Sequence, residues 1–243
     1  MSSKNKYNPQ PESSRSTYIL GGLAVAIIAV LVIGGVFWQS SRSQPRNDGY
    51  GGVQNSEVQV AKQDNGVVLL GRPDAAVSID LFEDPMCPYC GELENRNGQE
   101  LAQAIDDGKV AVRYHILNFL NQLSASGDYS TRAVAASQCV ADTGDAIAYS
   151  AFHSALFSPA NQPQENGSSD HTNEDLAQMA REAGASDAAV QCISTGANVE
   201  QAAIDAEAGR QALAASGAQG TPAVVKDGTV IDALSNPDWV AQL

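Results

Sequence analysis

The chain has 243 residues, four cysteines and a formal net charge of −14. That length allows one or two domains. The acidity argues against nucleic acid and against charge-driven docking on anionic lipid, and solubility explains it most simply.

Residues 1–18 are polar and read as an N-terminal tail on the cytoplasmic side. Residues 19–38 then run without a charge, from Ile19 to the Phe37-Trp38 pair. At about 1.5 Å per helical residue, such a run spans the roughly 30 Å of a bilayer core. Lys4, Lys6 and Arg15 precede it, and Arg42 and Arg46 follow. That balance favours an inside N-terminus. A cleaved signal peptide is the competing reading, but its apolar core would run only about 7–15 residues. The sequence after Trp38 is also a poor cleavage site. Residues 19–38 are therefore expected to be an uncleaved transmembrane anchor, and either reading exports the rest of the chain. Residues 39–57, rich in Ser, Gly, Asn and Gln, read as a flexible linker.

Regular patterning begins near Val58. Residues 67–70 suggest a short edge strand, and residues 76–82 a buried strand. Glu83-Asp84-Pro85-Met86 then make a turn into Cys87-Pro88-Tyr89-Cys90. Pro88 falls at the first helical position, where its missing N–H costs nothing. A helix follows to about Asp106, with Gly98 as a possible kink. Two cysteines in a CxxC at a helix start can close a disulfide, and the first becomes a stabilised thiolate. A CxxC is also half of a zinc site. The other cysteines, Cys139 and Cys192, stand apart, and the nearest histidine is His115. Strand, CxxC and helix in that order favour redox chemistry over zinc or an inert disulfide.

Residues 110–116 alternate as a second strand. Residues 124–196 are Ala- and Gln-rich, with helices expected over 130–142, 145–157 and 172–183. A polar loop occupies 158–171. A further helix is expected over 199–216. A hairpin follows, turning at Asp227-Gly228, and then a terminal helix from Asn236. The simplest organisation is a small α/β domain, 58–123 and 197–243, with a helical insertion at 124–196.

This layout resembles the thioredoxin fold with an inserted helical domain, as in the DsbA-like thiol–disulfide oxidoreductases. The run from Gly71-Arg72-Pro73-Asp74 through Phe82-Glu83-Asp84-Pro85-Met86 into the CxxC looks like that family's membrane-anchored branch. Gly220-Thr221-Pro222-Ala223 looks like its second hallmark, a threonine before a cis-proline, although an ordinary turn is the plainer alternative. The resemblance implies that Cys87 is an exposed nucleophile and Cys90 a buried resolving thiol. Pro88 and Tyr89 would tune the potential, and Pro222 would lie against the disulfide. The Thr221 backbone would pair with an extended substrate. Many thioredoxin-fold enzymes carry an acid six residues before the nucleophile, but here that position is Leu81. Glu83 shares the strand parity of Cys87 and could substitute, or it could be a solvated turn carboxylate. Asp80 should face the other way. The Pro-Tyr pair also occurs in glutaredoxins, which the anchor and the insertion disfavour.

In an exported protein the two remaining cysteines are expected to pair. A Cys139–Cys192 bridge is read as structural in preference to a second redox pair. His115, His153 and His171 are read as packing or capping residues. The expected activity is extracytoplasmic disulfide donation to unfolded exported proteins with free thiols. The resemblance implies no cofactor or metal and a quinone-linked membrane reoxidase. The rivals are a reductase on the same fold and a non-catalytic substrate-binding scaffold.

Overall fold

Apolar residues recur at every second position in the two longest strands, β3 (Val77–Glu83) and β4 (Val110–Ile116). The structure, a computed structural model, describes residues 49–243. It pairs these strands in parallel, with Leu81 opposite Tyr114 and Glu83 opposite Ile116. The connection between them is helix α1 (Pro88–Asp106), as parallel neighbours require.

Strands β1 (Gln59–Lys62), β2 (Val68–Gly71), β5 (Ala223–Lys226) and β6 (Thr229–Ile231) complete one sheet. Its order is β1-β2-β4-β3-β5-β6. The strand expected at 67–70 is therefore not an edge: β1, which has no strong alternation of its own, covers it. Asp227 and Gly228 both take positive φ, the conformation of a tight two-residue hairpin.

Between β4 and β5 lie α2 (Tyr129–Ala141), α3 (Ala146–Phe157), α4 (Asn173–Glu182), α5 (Asp187–Thr195) and α6 (Val199–Ala215). The fold is thus thioredoxin-like with a helical insertion. Asp145 and Thr172 cap α3 and α4 through their side chains, Thr172 in a capping box with Asp175. Helix α5 was not expected; Ser186 starts it and the left-handed Gly196 ends it. The sulfurs of Cys139 on α2 and Cys192 on α5 are bonded at 2.04 Å.

Strand parity sorts the side chains of β3. Ile79 and Leu81 enter the main core with Leu93, Leu101 and Ile105 of α1 and Phe152 of α3. Phe82 points to the opposite face and packs with Leu117, Leu213 and Val225. Asp80 shares that second face, where it pairs with Arg113 at 2.6 Å and His115 at 2.8 Å.

Three sequence expectations need correction or limits. The terminal helix from Asn236 is only a 3-10 turn, Val240–Gln242; so few residues rarely nucleate an α-helix. Trp239 nevertheless is buried in the core. Within the stretch read as linker, Val53 is fully buried, and the Gln54 and Asn55 amides donate to the Asp106 carboxylate. The proposed anchor at 19–38 lies outside the described residues. Among those residues, no helix is long and apolar enough to cross a membrane.

Candidate active site

The sequence places a proline one residue after Cys87, and the structure answers with a helix start. Cys87 is the N-cap of α1, in extended conformation, with Pro88 in the first turn. Its backbone N–H donates to the Asp84 carbonyl at 2.8 Å. Its own carbonyl accepts from the Cys90 and Gly91 N–H groups at 3.0 and 3.2 Å. Parallel strands end here, and the carboxyl end of such strands is where α/β folds place their sites.

Both thiols are free and unequal. Cys90 is fully buried, and Cys87 is only 6% exposed. Cys87 is thus less open than the resemblance implies. Its Sγ lies 3.4 Å from the Thr221 carbonyl, and Gln162 Nε2 donates to its carbonyl at 2.9 Å. The flanking Pro88 and Tyr89 stand out in solvent, Tyr89 at 59%. The Thr221–Pro222 bond is cis, and the Thr221 carbonyl of this loop before β5 faces Cys87.

The surroundings split the two proton affinities. The Cys90 thiol donates to the Cys87 sulfur and lowers the Cys87 pKa to about 6; burial opposes this, and the Thr221 hydroxyl and the Cys90 and Tyr89 N–H groups reinforce it. Burial pushes Cys90 well above its ordinary value, with the hydrogen bond to Cys87 and the Glu83 charge acting in the same direction. An N-cap thiolate beside a buried protonated thiol is the asymmetric pair that thiol–disulfide exchange uses.

Glu83 ends β3 with its side chain wholly buried, which removes the solvated-turn alternative. The parity it shares with Leu81 directs it into the core. There His153 Nε2 stands 3.2 Å from Glu83 Oε2 and 3.5 Å from Glu94 Oε1. Ligating atoms of these three residues lie within 4.8 Å of one another, one such grouping among the described residues. Burial and then the Glu94 charge raise Glu83 to about 7, with His153 opposing. Burial alone would lower His153, but the two carboxylates raise it to about 10. In the structure as it stands, an imidazolium faces two carboxylates in this buried cluster.

Sequence reasoning missed four residues here. Asp84, also fully buried, accepts from the Met86 and Leu120 amides and from Ser130 Oγ. Gln162 reaches in from the polar loop and donates to the Pro85 and Cys87 carbonyls. A Cβ on Gly91 would overlap Gln162 Oε1, so any larger residue there would make the glutamine side chain shift. Glu94 and His153 are the other two. Glu94 alone carried a signal, lying one turn past Cys90 on the same helix. His153 stands on an Ala-rich stretch that by sequence suggests only a packing or capping role. Cys139 and Cys192 form their bridge within the insertion.

Comparison with known proteins agrees with this geometry. A family model described as Thioredoxin matches residues 62–243. Among solved structures, the thiol-disulfide oxidoreductase MdbA of Corynebacterium diphtheriae is 28% identical with a TM-score of 0.67; the match covers 78% of this chain and 95% of that one. DsbA of Mycobacterium tuberculosis is 32% identical with a TM-score of 0.56, over 72% of this chain and 85% of that one. Among curated proteins, the serine/threonine-protein kinase PknE of Mycobacterium tuberculosis is 39% identical over 97% of this chain. The chain spans only 42% of that relative's length. The chain belongs to the thioredoxin family, and its architecture is that of the DsbA-like thiol–disulfide oxidoreductases.

Proposed function

We propose that the protein is an extracytoplasmic oxidase that introduces disulfides into exported proteins through Cys87-Pro88-Tyr89-Cys90. The observation that carries this reading is the unequal thiol pair: a stabilised Cys87 thiolate at a helix start and a buried Cys90 that holds its proton. A substrate thiolate attacks Cys87 Sγ in the oxidised enzyme, and the bond to Cys90 breaks. A second substrate thiolate then attacks the substrate sulfur of the mixed disulfide, and Cys87 leaves as thiolate. The substrate loses two electrons and the CxxC gains them. A low leaving-group pKa speeds that second step and makes the pair more oxidising.

In this reading residues 19–38 anchor the chain in the cell membrane, with residues 1–18 cytoplasmic. The substrates are unfolded exported proteins with free thiols, and the Thr221-Pro222 backbone receives an extended segment of them beside Cys87. A quinone-linked membrane reoxidase restores the disulfide. Pro88 and Tyr89 flank the sulfur and tune its potential. Thiol chemistry of this kind needs no further cofactor or metal.

The reduction potential of the Cys87–Cys90 pair tests the direction. A value near about −120 mV, as in a strong disulfide donor, supports the oxidase. A value near about −270 mV, as in thioredoxin, replaces it with the reductase. A second reading, a non-catalytic substrate-binding module, draws on the kinase relative, in which a similar region is part of a larger protein. Cys87→Ser separates the two, because a scaffold keeps its binding function without the thiol.

A further inference from the structure

When the Cys87–Cys90 bond breaks, Cys90 becomes a sulfur anion inside a fully buried site. Water cannot reach it directly, so its proton has to come from a neighbouring side chain. Glu83 is the acid whose charge acts on both cysteines. It does not stand alone: it shares a closed pocket with Glu94 of α1 and His153 of α3, the latter from the helical insertion.

Resting on the redox reading of Cys87 and Cys90, we propose that His153 and Glu94 act on Glu83 from opposite sides, so that the helical insertion sets when Glu83 hands its proton to the leaving Cys90. Glu83 donates in this scheme. Glu94 and His153 are positioning residues that act through it.

The geometry supports the arrangement. Side chains of Glu83, Glu94 and His153 are each at most 5% exposed. His153 Nε2, 3.2 Å from Glu83 Oε2, is the cationic group facing that carboxyl, and Glu94 is the anionic one. The His153 ring lies 4.4 Å from the ring of Tyr114 and 5.0 Å from that of Phe157, aromatic neighbours that favour a cation. Other titratable groups facing the cluster are Tyr50 before β1, Tyr114 on β4, Tyr149 on α3 and the two cysteines. All three tyrosines are raised by burial first and by the carboxylate charges, and they stay neutral through the working range. In the oxidised protein the two cysteines are bonded and do not titrate, so among these groups exchange near neutral pH is left to Glu83.

The proton step balances. A substrate thiolate bonds to Cys87 Sγ, the Cys87–Cys90 bond breaks, and its electron pair goes to Cys90 Sγ. The Glu83 proton moves to Cys90, leaving a carboxylate beside the His153 imidazolium. Reoxidation reverses the transfer: Cys90 returns its proton to Glu83 as the disulfide closes.

The test uses the full chain, oxidised, and measures its reduction by dithiothreitol against pH, corrected for the reagent's own thiolate. In the wild type the corrected rate falls as pH rises through a midpoint near 7. Glu94→Gln removes a negative neighbour and moves the midpoint down. His153→Gln removes a positive neighbour and moves it up, each by about one pH unit, a tenfold change in proton affinity. A loss of packing alone would not shift two variants in opposite directions. Shifts of the same sign, or no shift, overturn the proposal. If His153→Gln fails to fold, an unmoved midpoint in Glu94→Gln suffices to overturn it and a downward shift sustains it. Failure of the redox reading looks different: the wild-type disulfide would then not exchange with thiols at any pH.

Discussion

Ser130 Oγ donates to Asp84 Oδ1 at 2.7 Å, tying the turn before the thiols to the first helix of the insertion. The same carboxylate holds the Met86 and Leu120 amides at 3.0 Å each. One buried acid therefore joins the CxxC turn, the segment after β4 and the insertion.

Asp84→Ala leaves those three donors in an interior site without an acceptor. Each buried unpaired group costs about 1–3 kcal/mol, so the variant should lose about 3 kcal/mol or more of stability. Urea unfolding followed by circular dichroism measures it. A loss under about 1 kcal/mol would show that water replaces the carboxylate.

The Cys87 thiol should titrate near pH 6, visible as thiolate absorbance at 240 nm in the reduced protein and absent from Cys87→Ser. Its folded value lies below the reference value of 9.0. The extra stability of the reduced form is therefore complete above about pH 9 and lost as pH falls through about 6. Three pH units correspond to about 4 kcal/mol. Unfolding of reduced and oxidised protein across that range should show this slope only in the reduced form. Equal slopes would place the thiolate elsewhere.

Cys90→Ala cannot close the active-site disulfide, so its Cys87 thiolate should attack disulfides of exported proteins and stay joined to them, because the neighbouring thiol that would displace them is gone. Mixed disulfides that disappear on reduction, seen on non-reducing gels of exported proteins, are the expected outcome. Their absence would count against Cys87 as the exchanging sulfur.

Replacing Cys139 and Cys192 together by alanine opens a bridge between residues 53 apart. On the chain-entropy estimate the loss is about 4 kcal/mol. The midpoint of the Cys87 titration should stay in place, because the bridge lies within the insertion and its sulfurs do not enter the Cys87 balance. A shifted midpoint would tie the bridge to the redox site.

Local chemistry was legible in the sequence. Pro88 after Cys87 marks a helix start because proline fits the first turn, and Asp227-Gly228 marks a hairpin because its residues tolerate positive φ. Alternation in β3 told Glu83 from Asp80, since side chains two apart share a face. Helices α2, α3 and α4 were readable from spacing and caps, whereas α5 and β1 were too short to stand out.

The surroundings of the thiols were not legible, because they are assembled by contacts between distant segments. Gln162 reaches Cys87 from a polar loop, Asp84 meets Ser130 across the insertion, and His153 meets Glu83 and Glu94 from a third element. The sequence by itself determined the reactive pair, the helix that bears it and the strand that leads into it, because each depends on neighbours in the chain. Only the tertiary structure decided that Glu83 is buried and faces a charged histidine. Burial and the approach of like and opposite charges depend on packing, and no local pattern encodes them.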